Sequence, residues 1–304
     1  MQFEWKGVIP ALITSFFQDD RLNFDLIAVN LEAQKKAGVD GVILGGSLGE
    51  ASTLDTPEKK ALVEFSVSIL KNEIPVILNI AEGSTREAIQ LARAAADWGA
   101  SGLMLLPPMR YKSDPRETVS FFKSVASATS LPIMIYNNPI DYKIEVTPDM
   151  FDALQDNPNI QAVKESTRDT SNVTRMINRF GDRFQILCGV DTIALEELQM
   201  GAVGWVAGLV NAFPCETVAI YRLAKAGRVE EARSLHRWFL PLLELDLHPK
   251  LVQYIKLAAM MTGLGSEFVR QPRLVLEGEE RRQIKKIIEE GLSSRPRLPE
   301  YLHL

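Results

Sequence analysis

The stretch PIMIYNNPIDYKIEVTPDMFDALQDNPNIQAVKES (132–166) decides the fold. It opens on an apolar run bounded by prolines, PIMIYNNP (132–139), and closes on a second run, IQAVKES (160–166). Between them Thr147-Pro148-Asp149 is a helix start, with proline at a first helical position where its missing N–H costs nothing. Both runs are continuous in hydrophobicity rather than alternating, as parallel strands covered on both faces are. Strand, helix and strand in this order make one βαβ unit.

Outward from that unit the same pattern recurs. GVIPALITSF (7–16), GVILGG (41–46), PVILNI (75–80), GLMLLPP (102–108), FQILCG (184–189) and GWVAGL (204–209) bring the strands to eight. Helical spacing lies between them, as in Phe24, Leu26, Ile27 and Leu31, then Leu62, Val63, Phe65 and Leu70, then Ala88, Ile89, Leu91 and Ala95. Thr56-Pro57-Glu58 and Ser84 mark helix starts, while Gly38 and Gly99 mark stops. Eight such units predict an α/β fold, a (β/α)₈ TIM barrel, and their unbroken run favours closure over a doubly wound open sheet. Past residue 212 only helical patterns remain: 219–226, 229–239, 250–261 and 279–290. The expected organisation is residues 1–212 for the strands and most barrel helices, and 213–304 for the closing helix plus a C-terminal helical extension. The last residues, around Pro296 and Pro299, are expected to wander over the surface.

Composition bounds the partners. Apolar residues make up 46% of the chain and charged ones 24%, so a large core is available. The 34 Lys and Arg against 39 Asp and Glu give a net charge of -5, and no basic block tracks a nucleic acid. Cys188 and Cys215 are too few for a disulfide framework. No apolar run reaches bilayer length and no signal peptide is recognisable, so the expectation is a cytoplasmic protein without membrane contact.

In a barrel, chemistry sits at the C-terminal strand ends. Period-two alternation in strand six puts Val163 on the helix side and turns Lys164 inward with Ala162. A buried lysine has a lowered pKa, and the neutral amine attacks carbonyl groups to give a Schiff base; a lysine salt-bridged to a barrel carboxylate is the competing account. Tyr136, ending strand five, faces inward as well and can move protons, or can be a satisfied core aromatic. The turn Gly45-Gly46-Ser47-Leu48-Gly49-Glu50 offers backbone N–H groups to an anion, without the spacing of a dinucleotide or phosphate loop. His236, His248 and His303 all fall in the tail, which removes a histidine triad or multi-histidine metal site from the strand ends. Glu50, Asp141, Glu165 and Asp191 show no ligand spacing for a hard cation. No metal and no organic cofactor are therefore expected.

GSLGE (46–50), YNNP (136–139) and KES (164–166), in that order, resemble the dihydrodipicolinate synthase and N-acetylneuraminate lyase family. The resemblance runs from GVIPALITSF (7–16) to GWVAGLVN (204–211). It implies that Lys164 forms a Schiff base with pyruvate or another 2-oxo acid, that Tyr136 relays protons beside the imine, and that Ser47 and the Leu48 N–H hold the acid's carboxylate. Gly189 and Val206 match pocket-lining positions. Three departures bear on substrate. Leu48 replaces a common second threonine; Asp141 stands where the lysine-pathway synthase has an arginine; Arg110, with Tyr111 beside it, occupies the place of a tyrosine lent across a subunit interface.

Asp141 would repel aspartate semialdehyde, and Asn138 or Asp141 would accept a substrate hydroxyl. The resemblance thus points to a catabolic lyase: an aldolase or dehydratase of 2-oxo-3-deoxy sugar acids, or a deaminase of 1-pyrroline-4-hydroxy-2-carboxylate. The alternatives are the 4-hydroxy-tetrahydrodipicolinate synthase itself, a non-catalytic 2-oxo acid sensor and, less in keeping with Val206-Ala207-Gly208, a phosphate-sugar isomerase. The exposed loop at Met109, Arg110 and Tyr111 and the family's habit of pairing there imply a homodimer or homotetramer.

Overall fold

The computed structural model describes residues 4–302 apart from Asn72 and Met109; Met109 and His303, which figure in the sequence reading, lie outside them. Eight parallel strands form one sheet: β1 Gly7–Val8, β2 Val42–Leu44, β3 Val76–Ile80, β4 Gly102–Leu105, β5 Ile133–Asn137, β6 Ile160–Glu165, β7 Gln185–Cys188 and β8 Gly204–Trp205. Their order, β1-β8-β7-β6-β5-β4-β3-β2, brings first and last strands together. The seam between β1 and β2 closes through Ile43 N–H to Pro10 O at 2.8 Å and Leu12 N–H to Ile43 O at 2.9 Å. The chain is a (β/α)₈ barrel.

The first strand is far shorter than the apolar run 7–16. Pro10 has no N–H for the ladder. Pairing with the β8 side still runs on past Val8, from Ile9 N–H to Trp205 O at 2.8 Å, Ala207 N–H to Ile9 O at 3.3 Å and Ala11 N–H to Ala207 O at 2.9 Å.

Alternation sorts the strand side chains as expected. Ile43, Ile77, Met104, Met134, Ala162 and Leu187 pack inside the barrel. Ile133, Ile135 and Val163 join the larger core between sheet and helices. The helix starts hold too: Asp55 and Glu58 form a reciprocal cap at Thr56–Leu70, and Ser84 accepts from Glu87 N–H at Thr85–Asp97. Gly38 ends the helix Phe24–Ala37 in the left-handed conformation, φ 79°.

The helix Pro214–Lys225 packs on Phe24–Ala37 and on β1, and so occupies the closing position. Helices Val229–Leu243, Leu251–Met261 and Gly278–Ser293 pack on one another beyond it. The end of the tail does not wander. Arg222 donates to Leu302 O at 2.8 Å, Tyr301 donates to Glu231 at 2.5 Å under the Arg228 guanidinium, and Leu302 is buried. Local periodicity carries no trace of this, because side chains far back in the chain hold the segment.

Candidate active site

The β5–β6 register sets Tyr136 directly opposite Lys164. Lys164 is 7% exposed, and its ammonium lies 4.0 Å from the centroid of the Tyr136 ring. No acceptor among the described residues bonds Nζ. Burial pushes its pKa below the ordinary lysine value, with the charge of Asp246 foremost among the opposing influences. Gly189 at the end of β7 makes the placement possible: a Cβ there would stand 2.6 Å from Lys164 Cγ and 2.1 Å from Ser166 Oγ. Glycine is required here for close approach.

The Tyr136 hydroxyl accepts from Asn138 Nδ2 at 3.1 Å, and burial raises its pKa. A phenol held protonated beside an amine can give or take one proton during a step. Asn138 also caps the short helix Pro139–Tyr142, accepting from Asp141 N–H at 3.1 Å and donating to Asp141 Oδ2 at 2.7 Å. Its polar atoms are therefore occupied within the protein, which makes it a support for Tyr136 and Asp141 rather than a free acceptor.

The glycine-rich turn follows β2 and faces the lysine. Gly45 and Glu50 take positive φ at 62° and 60°, and a Cβ on Gly49 would meet Leu12 O at 2.8 Å. The Ser47 hydroxyl bonds the Tyr142 hydroxyl, and the Tyr142 ring sits edge-on to Tyr136 with centroids 5.5 Å apart. No acceptor among the described residues takes the Ser47 or Leu48 N–H. Two N–H groups free to meet one anion form a small nest.

Ser47, Leu48, Tyr136, Asn138, Asp141, Lys164, Gly189 and Val206 all line one cavity of about 70 Å³, room for several waters or one small acid. Arg110 does not. It lies in a separate surface groove with Gly83 and Glu87, because the β4 loop runs back toward the β3 side; Tyr111 next to it is exposed. The acids considered for a cation are spent elsewhere: Glu50 on Lys256, Glu165 on Asn172, and Asp191 on Trp205 and the Gly208 and Leu209 N–H groups. Among the described residues no three His, Cys, Asp or Glu side chains gather as a metal site.

Four polar lining residues escaped the sequence reading: Tyr142, Ser166, Arg168 and Asp246. Ser166 belongs to the KES run, but nothing in it signals the hydroxyl's position against Gly189. Asp246 comes from the C-terminal extension, in a gap between helical patterns where periodicity is silent.

A desolvated lysine against a tyrosine at the C-terminal end of a (β/α)₈ barrel, opposite a glycine-rich turn with two N–H groups that no acceptor among the described residues takes, defines a class I, Schiff-base lyase. Residues 4–291 match the model of the dihydrodipicolinate synthetase family, and the chain belongs to that family. It is 34% identical over 303 residues to a 4-hydroxy-tetrahydrodipicolinate synthase of Methanopyrus kandleri, covering 99% of each chain. A synthase of the same name from Methanothrix thermoacetophila is 32% identical, over 93% of this chain and 96% of the relative. The solved synthase of Methylacidiphilum fumariolicum SolV superposes with a TM-score of 0.91 at 28% identity, over 95% of this chain and 97% of that one. YagE, a prophage protein of E. coli K12 solved in complex with pyruvate, gives 0.89 at 27% identity, over 95% and 99%. The chain is thus an enzyme, and the sensor reading falls away.

Proposed function

We propose that this enzyme cleaves, dehydrates or deaminates a hydroxylated 2-oxo acid, or its cyclic imine, through Lys164, rather than condensing pyruvate with aspartate semialdehyde. The observation that carries the reading is Asp141. It lines the Lys164 cavity, tied to Asn138, at the place where the lysine-pathway synthase has an arginine. An acid there disfavours a second carboxylate and suits a hydroxyl.

The neutral Lys164 amine adds to C2 and, with one proton taken up, expels the carbonyl oxygen as water, or from a cyclic imine the ring nitrogen as an amine, leaving an iminium. In the aldolase version the C4 hydroxyl proton passes to a base, the C3–C4 bond breaks, and its electron pair becomes an enamine as the aldehyde departs. Protonation at C3 and hydrolysis return Lys164. In the dehydratase or deaminase version a C3 proton leaves first and the iminium assists loss of the hydroxyl or amine. Tyr136 is the proton carrier in each, and Ser47 with the Leu48 N–H holds the C1 carboxylate. No metal or organic cofactor enters, so turnover should survive exhaustive chelation.

Borohydride trapping against a panel of 2-oxo acids, read by intact mass, tests the mechanism: one ligand mass per chain at Lys164 is expected. Absence with every acid sinks it. The second reading, the synthase, draws on the names of the relatives and on Arg168, a guanidinium at the cavity mouth that can hold a second carboxylate. Synthase turnover with kcat/KM at or above roughly 10⁴ M⁻¹s⁻¹, lost on Arg168→Ala, would establish it in place of the first. We also infer a homodimer or homotetramer through the loop carrying Tyr111; a monomer by light scattering at micromolar concentration would refute this.

A further inference from the structure

The turn Glu244–Leu247 joins two helices of the C-terminal extension and packs against the turn Asp191–Ile193 that follows β7. It carries Asp246 over the barrel mouth. The carboxyl rests on the backbone of Gly208, where a Cβ would stand 2.6 Å from Oδ1, so a larger residue would push it away. From there it lines the cavity with Lys164, Tyr136 and Arg168.

Among the described residues Asp191 has spent both oxygens and Asp141 one, whereas Asp246 has spent neither. Asp191 accepts from Trp205 Nε1 at 2.9 Å and Leu209 N–H at 2.8 Å, and Asp141 Oδ2 accepts from Asn138. No donor among the described residues bonds Asp246. A half-buried carboxyl without a partner takes its hydrogen bonds from whatever enters the cavity. Burial and the acids Asp191 and Asp141 raise its pKa against the pull of Lys164 and Arg168. In either protonation state its best complement is a hydroxyl, which both donates and accepts.

We propose that Asp246, contributed by the C-terminal extension, is a second specificity-determining residue of this site beside Asp141: it hydrogen-bonds a hydroxyl on the substrate chain beyond C3 and so selects 2-oxo acids hydroxylated there. The inference rests on the 2-oxo acid lyase reading above and adds a second residue that chooses among such acids. Pyruvate, whose chain ends at C3, leaves Asp246 without that bond.

The test compares borohydride trapping rates for pyruvate and for a 2-oxo-3-deoxyhexonic acid in the wild type, Asp246→Ala and Asp246→Asn. A charged hydrogen bond lost from a closed site costs about 10- to 100-fold. Asp246→Ala should therefore lose at least about tenfold more with the hexonic acid than with pyruvate, with Asp246→Asn in between because its amide oxygen still accepts. Equal losses with both acids would overturn the proposal, since Asp246 would then act only through the charge of Lys164. Unchanged rates would overturn it as well. Should the alanine variant misfold, the isosteric asparagine variant carries the same comparison. A wild type that traps neither acid sinks the lyase reading itself, a result distinct from equal losses in the variants.

Discussion

Lys164 and Lys256 are both buried in this chain, and both stand over an aromatic ring, yet they do different work. The Lys256 side chain is fully buried; its ammonium bonds Glu50 at 2.6 Å and Phe268 O at 2.5 Å and lies 4.5 Å from the Phe16 ring centroid. Burial lowers its pKa to about 8, with Glu50 opposing. Lys164 has the ring and the burial but no acceptor among the described residues. Every donor of one is directed at the protein; those of the other face a cavity. Burial therefore does not separate the lysine proposed as nucleophile from the structural one, and unspent bonding capacity does.

The sharpest way to break that contrast is to remove each lysine in turn. Lys164→Ala should abolish the trapped adduct, whereas Lys256→Met, where it folds, should still carry its adduct on Lys164. A label found on Lys256 by peptide mapping would overturn the assignment. Trapping in wild type should also rise with pH, with a midpoint below the ordinary lysine value of 10.5.

Tyr136→Phe removes the proposed proton carrier but keeps the ring under the ammonium. Turnover should fall about 10²- to 10⁴-fold while trapping persists. A variant with wild-type turnover would make Tyr136 a packing residue.

For Lys256 the expected loss is stability. Lys256→Ala leaves buried Glu50 with only the Arg270 N–H and the more distant Arg273 guanidinium and should cost about 3 kcal/mol in denaturant unfolding, whereas Lys256→Met with Glu50→Leu should recover most of it. Equal destabilisation of both variants would mean that the pair holds the glycine-rich turn in a way apolar packing cannot replace.

Glu197 extends the comparison to acids. It is buried like Glu50 but lacks a charged partner among the described residues, with the Cys188 thiol beside it, and burial raises its pKa from 4.5 to about 8. The folded chain thus keeps this proton where the unfolded chain has lost it. The contribution is full below pH 4.5 and declines as pH rises through 8. Glu197→Gln should flatten that decline by about 1–3 kcal/mol in unfolding measured across the window; an unchanged slope would place the titration elsewhere.

The smallest effect belongs to the turn. Ser47→Ala removes one hydroxyl but leaves the backbone N–H groups, so KM should rise about five- to tenfold with kcat nearly unchanged.

Legibility in the sequence followed how local the cause was. The strand runs could be read because a sheet covered on both faces needs continuous apolar residues, and the alternation that turns Lys164 and Tyr136 inward is a property of the pleat. The family motifs likewise sit within single strand ends. Arg110 lies in a groove apart from its own chain's cavity, and whether it reaches the cavity of a second copy is a matter of assembly, which pattern within one segment does not encode.

Taken alone, the sequence determined the barrel, its helical appendage and the facing of Lys164 and Tyr136, since period, punctuation and strand geometry are local. Only the tertiary structure decided that Lys256 is paired and Lys164 is not, that Gly189 and Gly208 clear the space their neighbours fill, and that Asp246, far along the chain in the appendage, reaches the cavity. Those outcomes depend on contacts between residues distant in sequence, and pattern within a segment does not encode which distant side chain arrives.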